Sequence, residues 1–202
     1  QAKLIDTGAH RFPKHLLEPK TIKALGVYPY HKNGPPLDLE ADFKQALSGI
    51  SGFDLDILMG YDITKQEFLN ECLRRNVDVL HIASHASSRG ILLSDGYIDS
   101  TSLTSAALSC AAKIVVLSAC DTERIAREML ALEGGPTAVV YTRTAISDKN
   151  AIDFAGPFYR GLAKGFTVKR AFAIGKAMLP VEIANNTWRL SGDEAFRLEK
   201  KG

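Results

Sequence analysis

Apolar positions along this chain follow two periods, and their alternation outlines the architecture. Short apolar or alternating runs read as strands over Ile22 to Tyr28, Phe53 to Leu58, Val77 to Ser84, Lys113 to Ala119 and Ala138 to Thr142. Lys113 to Ala119 is nearly all apolar with a β-branched centre, which predicts a parallel strand covered on both faces. Between these runs, apolar residues recur at helical spacing. Leu39, Phe43, Ala46 and Leu47 make one such pattern. Thr64 with Glu67 three residues later predicts a capped helix running to Arg75, with Phe68 and Cys72 on one face. Further helices are expected over Ser100 to Cys110, Thr122 to Leu132, Lys149 to Lys164 and Val168 to Leu179, the last stopped by Pro180. Ile91 to Leu93, Asp95-Gly96 and Tyr97-Ile98 predict a small hairpin. His31 to Pro36 reads as a loop. Strands alternating with helices in this way predict an α/β domain with a mainly parallel sheet. In such sheets the active groups gather at the carboxyl ends of the strands.

Composition narrows the class. The 202 residues are 46% hydrophobic and 24% charged, which fits a globular chain and excludes disorder, collagen and coiled coil as whole-chain readings. Residues 1–20 are polar and basic, with Pro13 and Pro19, and are expected to be a lead-in or linker. Residues 21–202 are expected to form one domain. A start at Gln1 rather than Met leads us to expect a fragment or a processed chain. With 25 basic and 23 acidic residues the net charge is +2, which argues against a dedicated nucleic-acid or anionic-membrane surface. No apolar run has the length needed to span a bilayer. Cys72, Cys110 and Cys120 are odd in number and lack C-x-x-C spacing, so a reducing cytoplasm is expected rather than a disulfide scaffold.

Two of the strands run into reactive residues. Val77 to Ser84 leads into His85, and Lys113 to Ala119 leads into Cys120. If the strands are parallel neighbours, His85 and Cys120 share one sheet edge, as a thiol nucleophile and its acid/base partner must. The helix expected just after Cys120 would turn its positive end toward the sulfur. Each residue also has a purely structural reading, since a cysteine closing an apolar strand is commonly packing. His81 and His85 are four apart, which on a helix would make a metal pair. On a strand they lie roughly 13 Å apart, and His81 reads as a buried histidine bonded within the sheet. Neither a G-x-G-x-x-G nor a G-x-x-x-x-G-K-[ST] phosphate loop is present, which weakens a nucleotide-dependent α/β enzyme with a structural Cys120. There is no G-x-S-x-G elbow either.

The segments Val79 to Ala86, Leu92 to Gly96 and Ile114 to Thr122 together resemble the CHAT domains. These are caspase-like bacterial cysteine peptidases related to caspases and separase. Gly135 to Val140, Phe158 to Leu162, Ala171 to Ala173 and Trp188 extend the resemblance, which covers about Ile22 to Trp188. It implies a caspase-like α/β/α sandwich. It implies peptide-bond hydrolysis by a Cys120–His85 dyad, with the backbone amides near Ala86 and Cys120 holding the oxyanion. No metal or organic cofactor is implied. The implied partners are a protein or peptide substrate and an attached or bound sensor that switches the enzyme on, with pairing of two copies through a sheet edge also open. A catalytically inactive domain serving as an interaction module is the alternative. Two departures stand out. The family usually has glycine after the histidine, where this chain has Ala86. It often has tryptophan after the strand at Val139-Val140, where this chain runs from Tyr141 to Asp148. Asp148 and Asp121 fall near the expected active edge, and an acidic pocket floor would select Lys or Arg. Arg143 offers the opposite preference, and Asp148 is also a candidate N-cap.

Overall fold

The computed structural model describes residues 21–29, 50–60 and 63–198. The expected loop at His31 to Pro36, the helical pattern from Leu39 to Leu47 and the basic residues 1–20 lie outside them. The central sheet contains β1 (Ile22–Pro29), β2 (Phe53–Gly60), β3 (Val79–Ala83), β7 (Ile114–Ser118), β8 (Ala138–Thr142) and β9 (Trp188–Gly192). Its order is β2-β1-β3-β7-β8-β9. All neighbours are parallel except β9, which runs antiparallel to β8. A second, small antiparallel sheet holds β4 (Ala86–Ser87), β5 (Gly90–Leu93) and β6 (Gly96–Ile98). The β5–β6 hairpin was expected, whereas the two residues of β4 are too short to leave a sequence pattern.

Helices cover both faces. α1 (Lys65–Arg74), α2 (Ser100–Ser109) and α3 (Glu123–Ala131) lie on one, and α4 (Asp148–Ala163) and α5 (Val168–Lys176) on the other. Thr64 caps α1, its hydroxyl accepting from the Glu67 amide at 3.1 Å. The period of two in the strands assigns each residue its layer. Ile114 and Val116 of β7 pack with Phe154, Phe158 and Val168, while Val115 and Leu117 pack with Phe68, Leu103 and Met129. β3 and β8 alternate in the same way. The result is an α/β/α sandwich with a core on each side of the sheet.

The tail is where the structure adds most. A short helix, α6 (Val181–Asn186), precedes β9, and neither was expected from the sequence. α5 also stops at Lys176, earlier than its apolar pattern suggests. Tertiary packing accounts for β9. Trp188 stacks on Phe154 with ring centroids 4.1 Å apart, and the sheet edge next to β8 takes the chain that follows. Among the described residues no helix is long and apolar enough to cross a membrane.

His81 projects from β3 into the α4 layer, where its Nδ1 lies 2.7 Å from the Tyr159 hydroxyl. The polar partner of its Nδ1 therefore comes from a helix. Burial pushes the imidazole pKa down from 6.5 to about 3. A histidine kept neutral when folded takes up a proton on unfolding between those two values. Stability is therefore retained above pH 6.5 and falls as pH drops through this window. We expect His81→Gln to remove up to about 1.4 kcal/mol per pH unit from the slope of unfolding free energy against pH there. Denaturant titrations of both proteins from neutral to acid pH measure it. Equal slopes would mean that His81 does not carry the effect.

Candidate active site

β3 and β7 are hydrogen-bonded parallel neighbours, and their last registered pair is Ala83 with Ser118. His85 and Cys120 each stand two residues beyond that pair, so equal chain lengths carry both to one edge of the sheet. They line the same cleft, together with Ala83, Ser84, Ser118, Ala119, Ile146, Asp148 and Ala151. Cys120 is half-buried and His85 exposed.

Local hydrogen bonds hold each residue. On the histidine side, the Ser84 hydroxyl donates to the Leu92 carbonyl at 2.7 Å. The Leu92 amide donates to the His85 carbonyl at 2.8 Å. The turn leaving β3 is thereby fastened to the small sheet. His85 and Leu92 thus form a hydrogen-bonded pair, and Ala86 faces Ile91 in the next, non-hydrogen-bonded pair. Antiparallel alternation then turns the Ala86 N–H away from β5. Ala86 is not in the left-handed region. Among the described non-glycine residues only Ala111 and Asp121 are. Alanine in place of the family's usual glycine therefore costs no backbone strain here.

On the cysteine side, Asp121 has φ of 51° and makes the sharp turn out of β7. Thr122 and Thr142 brace this turn, and both are fully buried. The Thr122 amide donates to the Thr142 carbonyl at 2.8 Å. The Thr142 amide donates back to the Thr122 hydroxyl at 3.2 Å, and the Thr142 hydroxyl donates to the Ala119 carbonyl. These two threonines went unnoticed in the sequence, because each is an ordinary strand-end or cap residue until β7 and β8 become neighbours. Thr122 is the N-cap of α3, yet its hydroxyl bonds to β8 and Ala119 and does not cap the helix. The positive end of α3 thus lies two residues from the Cys120 sulfur with no side-chain cap from Thr122.

The other acidic and basic candidates separate. Asp148 lines the cleft, and Asp121 does not. The N-cap of α4 is Ser147, whose hydroxyl accepts from the Asn150 amide, so Asp148 is a first-turn residue and not the cap. Arg143 is outside the cleft lining and pairs with Glu123 at 2.8 Å. Cys72 and Cys110 are both 0% exposed and interact with each other beneath α1 and α2. The interaction with Cys110, and then burial, push the Cys72 thiol pKa up, which disfavours a reactive thiolate. His81, buried against Tyr159, lies in a different layer from the exposed His85.

The family model described as CHAT domain matches residues 35–181 of the chain. The chain belongs to the CHAT-domain family, a caspase-like group related to cysteine peptidases, as the sequence motifs implied. No curated protein matches the chain.

Two outcomes follow from this geometry. Iodoacetamide is expected to modify one thiol in the native chain, at Cys120, and all three after denaturation, as counted by intact mass. Native labelling of Cys72 or Cys110 would contradict their burial. Asp121→Val is expected to lose about 1–2 kcal/mol of stability, because a β-branched residue resists the left-handed region. Asp121→Gly should stay near the wild type in the same denaturant titration.

Proposed function

We propose that this CHAT-domain chain is a cysteine endopeptidase that cuts a specific protein partner. The observation that carries the reading is the β3–β7 register, which brings His85 and Cys120 to one cleft. The Cys120 thiolate attacks the scissile carbonyl carbon, and the electron pair moves to the carbonyl oxygen. The amides of Ala86 and Cys120 receive that oxyanion. Collapse of the intermediate breaks the C–N bond, and the leaving amine takes a proton from His85. Water then attacks the thioester and gives its proton to His85, releasing the acid and restoring the Cys120 thiolate. The non-catalytic alternative drew its support from Ala86, and the relaxed backbone there removes that support.

Among the described residues that line the cleft, Asp148 supplies the one carboxylate. With Arg143 held by Glu123, this supports a preference for Lys or Arg before the cut. The cleft measures about 80 Å³. That is well below the roughly 300–1,000 Å³ usual for a ligand cleft. The reading is therefore of a resting enzyme that a bound sensor opens. Free thiols suit a reducing cytoplasm.

The test is cleavage of a fluorogenic peptide library, beside labelling by peptidyl chloromethyl ketones. Cys120→Ala and His85→Ala should each lower kcat/KM by at least about 10³-fold. Asp148→Asn should lower kcat/KM for Lys and Arg substrates about ten- to a hundredfold while sparing neutral ones. Cleavage surviving in Cys120→Ala, or a wild type that neither cuts nor labels, would favour the interaction module.

A further inference from the structure

Away from the Cys120 cleft, α5, α6 and β9 enclose an open groove of about 730 Å³. Its volume falls in the range of binding clefts, and it is far larger than the space at Cys120. Phe172, Leu179, Trp188 and Leu190 give it an apolar lining. Val181, also in the lining, is 78% exposed, and neighbouring Met178 is 61% exposed. An apolar surface of this kind, rimmed by charge, marks an interaction site.

The charges at the rim are one-sided. Lys169 and Glu194 pair with each other at 2.7 Å. Lys176 and Arg189 have no carboxylate partner among the described residues, and each is half-buried. Burial first, and then the Arg189 charge, pull the Lys176 pKa down. Two cations repelling each other beside apolar surface would gain from an added carboxylate.

The shape of the groove favours an extended occupant. Trp188, Arg189 and Leu190 are consecutive in β9 and all line it. Consecutive strand residues point to opposite faces, so a groove touching all three runs along the free edge of β9. The Arg143 amide donates to the Thr187 carbonyl, which sets the alternation of the β8–β9 ladder. The Leu190 N–H and C=O consequently turn away from β8, toward that edge.

We propose that this groove docks an extended segment of a partner protein that carries bulky apolar side chains beside acidic ones. Its backbone would add to the β9 edge, and its carboxylates would meet Lys176 and Arg189. A second copy of this chain fits less well, because a two-fold contact would bring the same cations face to face. Residues 1–20 are basic and fit less well for the same reason. The inference does not depend on peptidase activity, so its test reads binding.

The experiment uses the chain carrying Cys120→Ala, so that no probe can be cut. Dye-labelled synthetic peptides alternating Leu with Glu, Leu with Lys, and Ser with Glu are titrated by anisotropy. The emission of Trp188, the only tryptophan and part of the groove, is followed in parallel. The Leu–Glu peptide should bind, perturb Trp188 and weaken as salt rises. Lys176→Glu with Arg189→Glu should weaken it at least about tenfold and transfer binding to the Leu–Lys peptide. The proposal is overturned if the Leu–Glu peptide fails to bind or binds both proteins equally. It is also overturned if the double variant abolishes a dimer seen by sedimentation, or if removing residues 1–20 tightens peptide binding, since the groove would then already have an occupant.

Discussion

Parallel hydrogen bonding between β3 and β7, with Ala83 opposite Ser118, determines where both chains leave the sheet. A slip of one residue would displace His85 from Cys120 by about 3.3 Å. It would also turn each side chain of the slipped strand to the wrong face. Val79 and Ala83 would then exchange layers with Leu80 and Ile82, and His81 would lose its place beside Tyr159. Packing on two faces thus enforces a spacing at the edge that no contact at the edge could hold alone. The buried His81 contributes to the site through this register, without touching the cleft.

How far the sequence could be read follows from the same physics. The five strands inferred from it are present, and all five lie in the parallel part of the sheet. Each was marked by a short apolar or alternating run. Capping chemistry located α1, because Thr64 and Glu67 are local to one turn. β9 left no such mark. Its pairing depends on Trp188 meeting Phe154, a residue in another helix, and on β8 having an unfilled edge. His85 and Cys120 were legible because each follows a strand directly. The Thr122–Thr142 brace was not, since its two members are 20 residues apart and meet only when β8 aligns with β7. Ala86 was legible as a departure from the family pattern, but only the backbone angle showed that it carries no strain.

Charge is divided between two places with different tasks. Near Cys120, Glu123 takes up Arg143, and Asp148 stands in the cleft lining. At β9, Glu194 takes up Lys169 and leaves Lys176 and Arg189 without a carboxylate partner among the described residues. A net charge of +2 says nothing of this separation. Local pairing decides which charges remain to act on another molecule, and surface pairs that merely cancel contribute little to stability.

The walls of the Cys120 cleft differ in how firmly they are held. β3 and β7 are central strands, and their ends are fastened by Ser84 to Leu92 and by Thr122 to Thr142. Ile146 gives the third wall, and in its segment, residues 143–147, all but half-buried Ile146 are exposed. Their attachments are the Arg143 amide to the Thr187 carbonyl, Arg143 to Glu123, and the Thr144 and Thr187 hydroxyls at 3.0 Å. Widening the cleft by moving either strand end would break buried hydrogen bonds, each costing about 1–3 kcal/mol when a partner is left unsatisfied. Moving residues 143–147 gives up fewer buried hydrogen bonds, chiefly those to buried Thr187, and costs less. Opening the cleft at lowest cost therefore displaces this segment, whose tether at Thr187 adjoins Trp188, where the β9 groove begins.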